Sequence, residues 1–459
     1  VALNRRVAVI GAGWAGLAAA VRAVQAGAQV TLLEMAAQPG GRARALAADV
    51  PPAGPPAGPS DPGAGPEAPA PAWPHDNGQH ILIGAYARTL DLMRSVGVDV
   101  DTVLWRSPLV LRYPDGSGLA LPPGPALPAF LRGVASARGW TWGDRLALLW
   151  QAQRWLLAGF RCDPALTVAQ LCAGLPPRVR ALLIDPLCVA ALNTPAAEAS
   201  AQVLLRVLRD ALFGGRGSAD LLLPRRPLDA LLPAPAVAWL QARGAVLRLA
   251  TRARALAPVA GGGWRVDGEA FDAVVLACPA AEAARLAGPH APAWAAQAAA
   301  LRYEPIVTVL LHWPGARLHA PMTALHEGPD APAQYAFDHG ALGATPGRFA
   351  FVVSGARPWV EAGLQATGAA VRRQSLPAFA VPGSPGGPQL ERVLADKRAT
   401  FRCTPGLQRP PAVVASGLWA AGDYVAGPYP ATLEGAVRAG EAAAAAATAT
   451  ATGPKRPPR

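Results

Sequence analysis

The chain has 459 residues, 52% of them hydrophobic and 16% charged, which is long enough for two domains and too apolar for a disordered or solvating protein. The net charge of +12 is almost all arginine and is dispersed, clustering only at Arg372-Arg373 and Lys455-Arg456 without a zinc finger or RNP-like motif, so it excludes nucleic acid as the expected partner and leaves attraction to an anionic membrane surface open. No uninterrupted apolar segment reaches bilayer-spanning length, and the five cysteines and seven histidines lack metal-ligand spacing, so a cytoplasmic protein with reduced cysteines and no metal site is expected, with peripheral contact on the inner face of the membrane as its closest approach to lipid.

Val7-Ala8-Val9-Ile10 is a short apolar run without alternation, as in a parallel strand buried on both faces. It leads into Gly11-Ala12-Gly13-Trp14-Ala15-Gly16, whose glycines allow a tight turn, a phosphate against bare backbone, and close packing of helix on strand. An Ala-rich helix stopped at Gly27 follows, then the strand Val30 to Leu33, and Glu34 stands about twenty residues past the fingerprint, where a carboxylate meets ribose hydroxyls. Gly40-Gly41-Arg42 adds backbone N–H groups and a cation for a pyrophosphate, an element that favours a buried flavin dinucleotide over NAD. The contacts expected from this stretch are Gly11, Gly13, Trp14, Ala15, Gly16, Glu34, Met35, Gly41 and Arg42.

Residues 51 to 74 are Pro, Gly and Ala with a few acids and predict a disordered surface excursion. The polar cluster His75-Asp76-Asn77-Gly78-Gln79-His80 then precedes an apolar run, which suggests chain facing a ligand, with Asn77, Gly78 and Gln79 against the cofactor. A helix is predicted over 86 to 96 and a hairpin around Pro114-Asp115-Gly116-Ser117. From 122 to 212 helices are expected. The stretch 133 to 160 carries Trp140, Trp142, Trp150, Trp155 and Phe160 with Arg138, Arg145 and Arg154 between them and Arg132 and Arg161 at its ends, a pattern that fits either core packing or a lid at a membrane interface. Asn193-Thr194-Pro195 reads as a turn and cap before a helix over 198 to 213.

A helix over 228 to 243, a strand at 246 to 249 and strands ending at Cys278 predict a second βαβ-like unit. A strand over 251 to 256 is expected to pass the adenine through backbone contacts, at Ala253. Runs at 306 to 312 and 346 to 354 and a helix over 362 to 379 predict a second, mostly antiparallel domain. The return strand 417 to 423 ends in Gly422-Asp423, and Thr432-Leu433-Glu434-Gly435-Ala436 opens the last helix, frayed beyond Ala442. Asp423 is placed for a ribityl hydroxyl, and the helix N-terminus, with Thr432, Leu433 and Ala436, for the N1–C2 edge of a flavin.

The fold class is therefore α/β, a Rossmann-like FAD-binding domain interleaved with a mixed or antiparallel-sheet substrate domain and a helical subdomain. FAD-binding segments are expected at 1–100, 226–290 and 406–448, substrate-domain segments at 101–225 and 291–405, and a disordered tail at 449–459. With no Ser-His-Asp or Cys-His constellation, chemistry rests on the flavin, whose N5 gives or takes a hydride. Acid–base candidates are Asp76, His75 and His80, then Glu198, Tyr429 and Asp210. Against a catalytic role stands a plain hydrogen-bonded pair of His80 and Asp76 that orders their loop.

These motifs resemble the flavin monoamine oxidase and phytoene desaturase superfamily. Within it, Leu-Asn-Thr-Pro (192 to 195), Asp-Asn-Gly-Gln-His (76 to 80) and Ser-Ala-Asp-Leu-Leu-Leu-Pro (218 to 224) are similar to the bacterial hydroxysqualene dehydroxylases. The resemblance implies FAD held by Gly11, Gly13, Gly16, Glu34, Gly41, Arg42, Asp423 and the 432 helix. It also implies a long-chain triterpenoid substrate, hydroxysqualene, reduced to squalene in hopanoid synthesis. The residues alone leave open the same fold run oxidatively, as a carotenoid or squalene desaturase or an amine oxidase, and a lipid-binding escort without catalysis. No second nicotinamide fingerprint is present, so reducing equivalents are expected from an external donor.

Overall fold

The computed structural model describes residues 5–46 and 74–449; the Pro-rich stretch, Pro74 apart, and the tail beyond residue 449 lie outside them. The first apolar run forms the strand Arg6–Ile10, its last four residues buried, at the interior of a six-stranded sheet. The sheet runs Val413–Ala415, Leu418–Ala420, Ala273–Leu276, Arg6–Ile10, Gln29–Leu33, Val246–Arg248, parallel throughout except for the first pair. Three separated stretches of chain thus build one nucleotide-binding layer, because parallel neighbours need long crossovers between them.

The helix Trp14–Gln25 covers this sheet beside the last helix, Leu433–Thr448. They approach closely because Gly440 has no side chain, a Cβ there falling 2.1 Å from the Ala15 carbonyl oxygen. Ala443, Ala444 and Ala447 are buried in the same seam, which keeps the helix intact to Thr448, past the expected fraying at Ala442.

The second large sheet is antiparallel, in the order Met322–Ala324, Tyr335–Asp338, Arg348–Val353, Tyr303–His312, Gln389–Phe401. Alternation gives it two faces. Val307, Val309, Ala336 and Phe351 pack in a cluster with Val371 of the helix Leu364–Ser375, while Ile306, Thr308, Tyr335, Phe337 and Val352 face a cavity.

The helices Ala126–Ala135, Trp142–Leu157 and Ala201–Phe213 pack with one another and with a run from Pro177 to Leu192. That run passes through a π turn, Arg180–Ile184, just before Pro186, so a proline in the first turn of the next helical piece leaves the run unbroken. Asn193, in the left-handed region at φ 45°, terminates it. The Asn193-Thr194-Pro195 turn therefore closes the preceding helix, and the next is entered from Ser200. Two further expectations need correction. The 228–243 helix is two pieces, Leu228–Leu231 and Pro233–Gln241, because the residue before a proline is pushed out of helical geometry. Residues 251 to 255 form no strand, which begins only at Leu256, because the parallel sheet already ends at Val246–Arg248. No helix among the described residues is long and apolar enough to cross a membrane.

Candidate functional site

A cavity of about 630 Å3 opens where the carboxyl ends of the parallel strands meet the inner face of the antiparallel sheet. That is where open α/β sheets bind ligands, since the loops diverge and helix N-termini point inward there. Gly11, at φ 109°, turns the chain off its strand, and a Cβ there would sit 2.6 Å from the Ala277 carbonyl oxygen. Gly13 caps the first helix without a side-chain hydrogen bond, leaving first-turn N–H groups free. A Cβ on Gly13 would meet only the Gly41 Cα, at 3.8 Å, so the two glycine segments face each other as bare backbone. Gly16 lies behind the cavity wall; its lack of a Cβ lets the helix sit on the Gly11 carbonyl.

Glu34 Oε2 accepts a hydrogen bond from Ala12 N and Oε1 from Ala36 N, both at 2.7 Å, which fixes the carboxylate at the strand end with lone pairs to spare. Arg42 donates through Nη2 to Asp423 Oδ1 at 2.5 Å and through Nη1 to the Ala399 oxygen at 2.6 Å, joining the two ends of the chain across the cavity. Asn77 Nδ2 donates to the Arg42 carbonyl at 2.5 Å and its Oδ1 accepts from Arg44 N, so the polar loop steadies the Gly40–Arg44 turn. On the far side Thr432 Oγ1 accepts from Gly435 N at 2.9 Å, capping the last helix, and the preceding Ala431 is held at φ 56°, a strained conformation for a residue with a Cβ. Tyr424, which sequence reasoning missed, also lines the cavity; its buried hydroxyl has no hydrogen-bond partner among the described residues.

Facing glycines, a fixed acceptor carboxylate, a helix N-terminus with free N–H groups and an unpartnered buried hydroxyl together fit a dinucleotide carrying a polar ring system. Of the expected contacts, Gly11, Gly13, Trp14, Ala15, Glu34, Met35, Gly41, Arg42, Asn77, Gly78, Gln79, Ala253, Gly422, Asp423, Thr432, Leu433 and Ala436 all line this cavity.

The acid–base candidates separate. His80 lines the cavity; its Nδ1 lies 3.0 Å from the Gly78 oxygen and so carries the hydrogen, leaving Nε2 as an acceptor, and burial lowers its pKa. Asp76 lies in an adjoining polar chamber with His75 and His339, which shares Gly78, Gln79 and Thr308 with the cavity. The carboxylate accepts from Leu228 N at 2.9 Å, not from His80, so the expected His80–Asp76 pair does not form: each side chain is already taken by a backbone group. Glu198 does not line the cavity and is ion-paired with Arg402. Tyr429 is also outside the lining, its ring covered by Arg438 at 4.7 Å and Arg206 at 5.8 Å, with Asp210 as hydrogen-bond partner.

Burial pushes the Asp76 carboxyl up to about 7; the Leu228 hydrogen bond pulls against this and the Asp229 carboxylate adds to it. A carboxyl with a folded pKa above its unfolded value loses its proton first in the unfolded chain, so stability falls as pH rises from about 4 to about 7. Asp76→Asn, permanently neutral, should gain on the wild type by on the order of 2 kcal/mol between pH 4 and pH 8, allowing for partial solvent contact. Urea midpoints of both proteins at the two pH values measure this; an equal difference at both would refute the assignment.

The sequence profile of the flavin containing amine oxidoreductase family matches residues 14–365. The chain is 28% identical to a hydroxysqualene dehydroxylase of Sinorhizobium fredii, over 96% of this chain and 98% of that protein. It is 30% identical to one of Rhodopseudomonas palustris over the same shares. Among solved structures, cyclohexylamine oxidase from Brevibacterium oxydans aligns over 97% of this chain and 99% of its own, with a TM-score of 0.64 at 18% identity. An oxidoreductase from Methanosarcina mazei gives 0.67 at 15%, over 95% of this chain and 99% of its own. At such identities these two structures speak for the fold alone. The profile match over most of the chain, with a cavity that fits a flavin dinucleotide, places this chain in the flavin-containing amine oxidoreductase family, as an FAD-dependent oxidoreductase.

Proposed function

We propose that this chain reduces hydroxysqualene to squalene, removing the allylic hydroxyl as water, in hopanoid synthesis. The observation that carries the reading is the two-sided cavity: a dinucleotide cradle at one side and, continuous with it, a wall of Val189, Ile306, Tyr335, Phe337 and Val352 that suits a hydrocarbon. End-to-end similarity to two hydroxysqualene dehydroxylases supports the same substrate.

In this reading Gly11, Gly13, Gly41, Arg42, Asp423 and the helix at Thr432 hold FAD, and Glu34 takes the adenosine ribose. FAD bound there, once reduced by an external donor, would supply the two electrons with which a C–H bond replaces the C–O bond. His80, with Nδ1 bonded to Gly78, offers Nε2 to orient the substrate hydroxyl. Asp76, protonated up to about pH 7 in the adjoining chamber, is the acid from which the departing oxygen is protonated. Glu198 and Tyr429 we assign to holding the helical segment in place. The segments 1–100, 226–290 and 406–448 form the FAD-binding domain, and 101–225 and 291–405 the substrate domain.

The test is anaerobic incubation of the flavin-reduced protein with hydroxysqualene, followed by oxidised protein with squalene and with phytoene. Squalene and reoxidised flavin in the first arm are expected. Inert reduced protein together with desaturated product in the second arm would assign the oxidative direction instead.

A further inference from the structure

Among the described residues, the helix Trp142–Leu157 carries more exposed large apolar side chains than any other element. Trp142 is 70% exposed, Leu146 63%, Trp150 60%, Leu156 44% and Leu157 79%, while Leu148 and Trp155 are buried on the other side. At about 100° per residue the five exposed side chains fall within an arc of ~120°, with Leu148 and Trp155 opposite. Phe213, 45% exposed, adjoins the C-terminal end of this stripe through its edge contact with Phe160. Cations border it on both sides: the Arg145 guanidinium lies over Trp142 at 4.6 Å and that of Arg154 over Trp150 at 4.7 Å. The helix's one acid, Asp144, is buried in the capping box with Thr141.

We propose that this face docks the protein on an anionic lipid surface, the helix lying along the interface with its tryptophans and leucines at the boundary of headgroups and acyl chains and Arg145 and Arg154 at the phosphates. Indole rings sit at the boundary between hydrocarbon and water, and arginine stems cover apolar surface while their heads reach charge. With 16 residues the helix is too short to cross and suited to lie flat. A second copy is the less fitting occupant: two-fold pairing of the stripe would bring the same arginines against each other, whereas lipid phosphate complements them. The helix also packs on Pro177–Val179, the start of the run whose last turn, at Val189–Ala191, lines the cavity, so the docked face and the hydrocarbon wall belong to one helical layer. The inference stands on this surface and does not depend on which hydrocarbon the cavity takes.

Co-sedimentation of the FAD-loaded protein with vesicles of phosphatidylcholine alone, or with phosphatidylglycerol added, tests it. Binding is expected to the anionic vesicles, weakening with salt. The triple variant Trp142→Ser/Trp150→Ser/Leu157→Ser should lower partitioning about tenfold or more. Arg154→Glu, a single exposed change that keeps the core intact, should weaken binding severalfold on anionic vesicles only. Unchanged flavin absorbance in both variants reports an intact fold. Wild type that binds neither vesicle, or variants that bind as wild type does, would overturn the proposal. So would a triple variant that turns a dimer into a monomer in sedimentation while its vesicle binding stays the same, which would give the face to a second copy.

Discussion

Gly13→Val should purify folded but colourless. At Gly13 a new Cβ meets no protein atom closer than 3.8 Å and points at the gap toward Gly41, where only backbone now faces the cavity. The fold has no reason to object, while the pyrophosphate loses the surface it needs. A steric overlap of a few kcal/mol corresponds to about 100-fold in affinity at ~1.4 kcal/mol per tenfold. Neighbouring glycines should behave differently. A Cβ on Gly16 would fall 1.8 Å from the Gly11 carbonyl oxygen, and Gly11 is held at φ 109°, so substitution at either strains the strand-to-helix turn and should cost folding itself. Flavin absorbance and far-ultraviolet circular dichroism of the three variants separate the two failures. Gly13→Val protein that keeps its yellow colour would sink the reading of this gap as the pyrophosphate site.

The contrast among three glycines of one motif shows what was legible in the sequence. A strand, a glycine turn, a helix and a terminal acid are local, and their order announced the first parallel pair and, of the residues around the cavity, Gly11, Gly13, Trp14, Ala15, Glu34 and Met35. The polar loop at 76 to 80 was legible as ligand-facing chain, because such a cluster has no place in an apolar core. Long-range arrangements were not. Gln389–Phe401, the thirteen-residue partner of Tyr303–His312, is rich in charge and read as no strand at all; its pairing comes from the neighbour it lies against. Nothing in the sequence announces the π turn that carries the helical run past Pro186. Tyr424 follows a recognised Gly-Asp, yet that its hydroxyl is buried without a partner is a property of the assembled walls. His80 and Asp76, close in sequence, were expected to bond each other, but Gly78 and Leu228 are better placed for them.

The largest stability effect is expected at a residue read only as part of a helix-opening motif. Glu434 is fully buried, and its carboxylate takes hydrogen bonds from Arg88 N at 3.1 Å, from Thr89 N at 2.9 Å, from Thr89 Oγ1 at 2.7 Å and from Arg438 Nε at 2.7 Å. Arg88 and Thr89 open the helix Ala87–Ser95, whose own cap position, Tyr86, supplies no side-chain hydrogen bond. One carboxylate from the far end of the chain thus caps a helix near its start, where free N–H groups and the helix dipole favour negative charge. Glu434→Ala would strand two backbone donors and the Thr89 hydroxyl, while the partly exposed Arg438 guanidinium turns to solvent, for a cost of about 2–4 kcal/mol. Glu434→Gln keeps an acceptor but turns an amide N–H₂ toward existing donors, and should cost about 1–3 kcal/mol. Because Tyr86, Thr432, Leu433 and Ala436 around this contact line the cavity, the Ala variant should also hold FAD more weakly. Urea midpoints of the FAD-loaded proteins measure both substitutions, and a loss below about 1 kcal/mol for Glu434→Ala would contradict the role given to the carboxylate. In a double-mutant cycle with Thr89→Ala, the two losses should be strongly less than additive, since both changes remove the same clamp between the last helix and the helix that opens at residue 87.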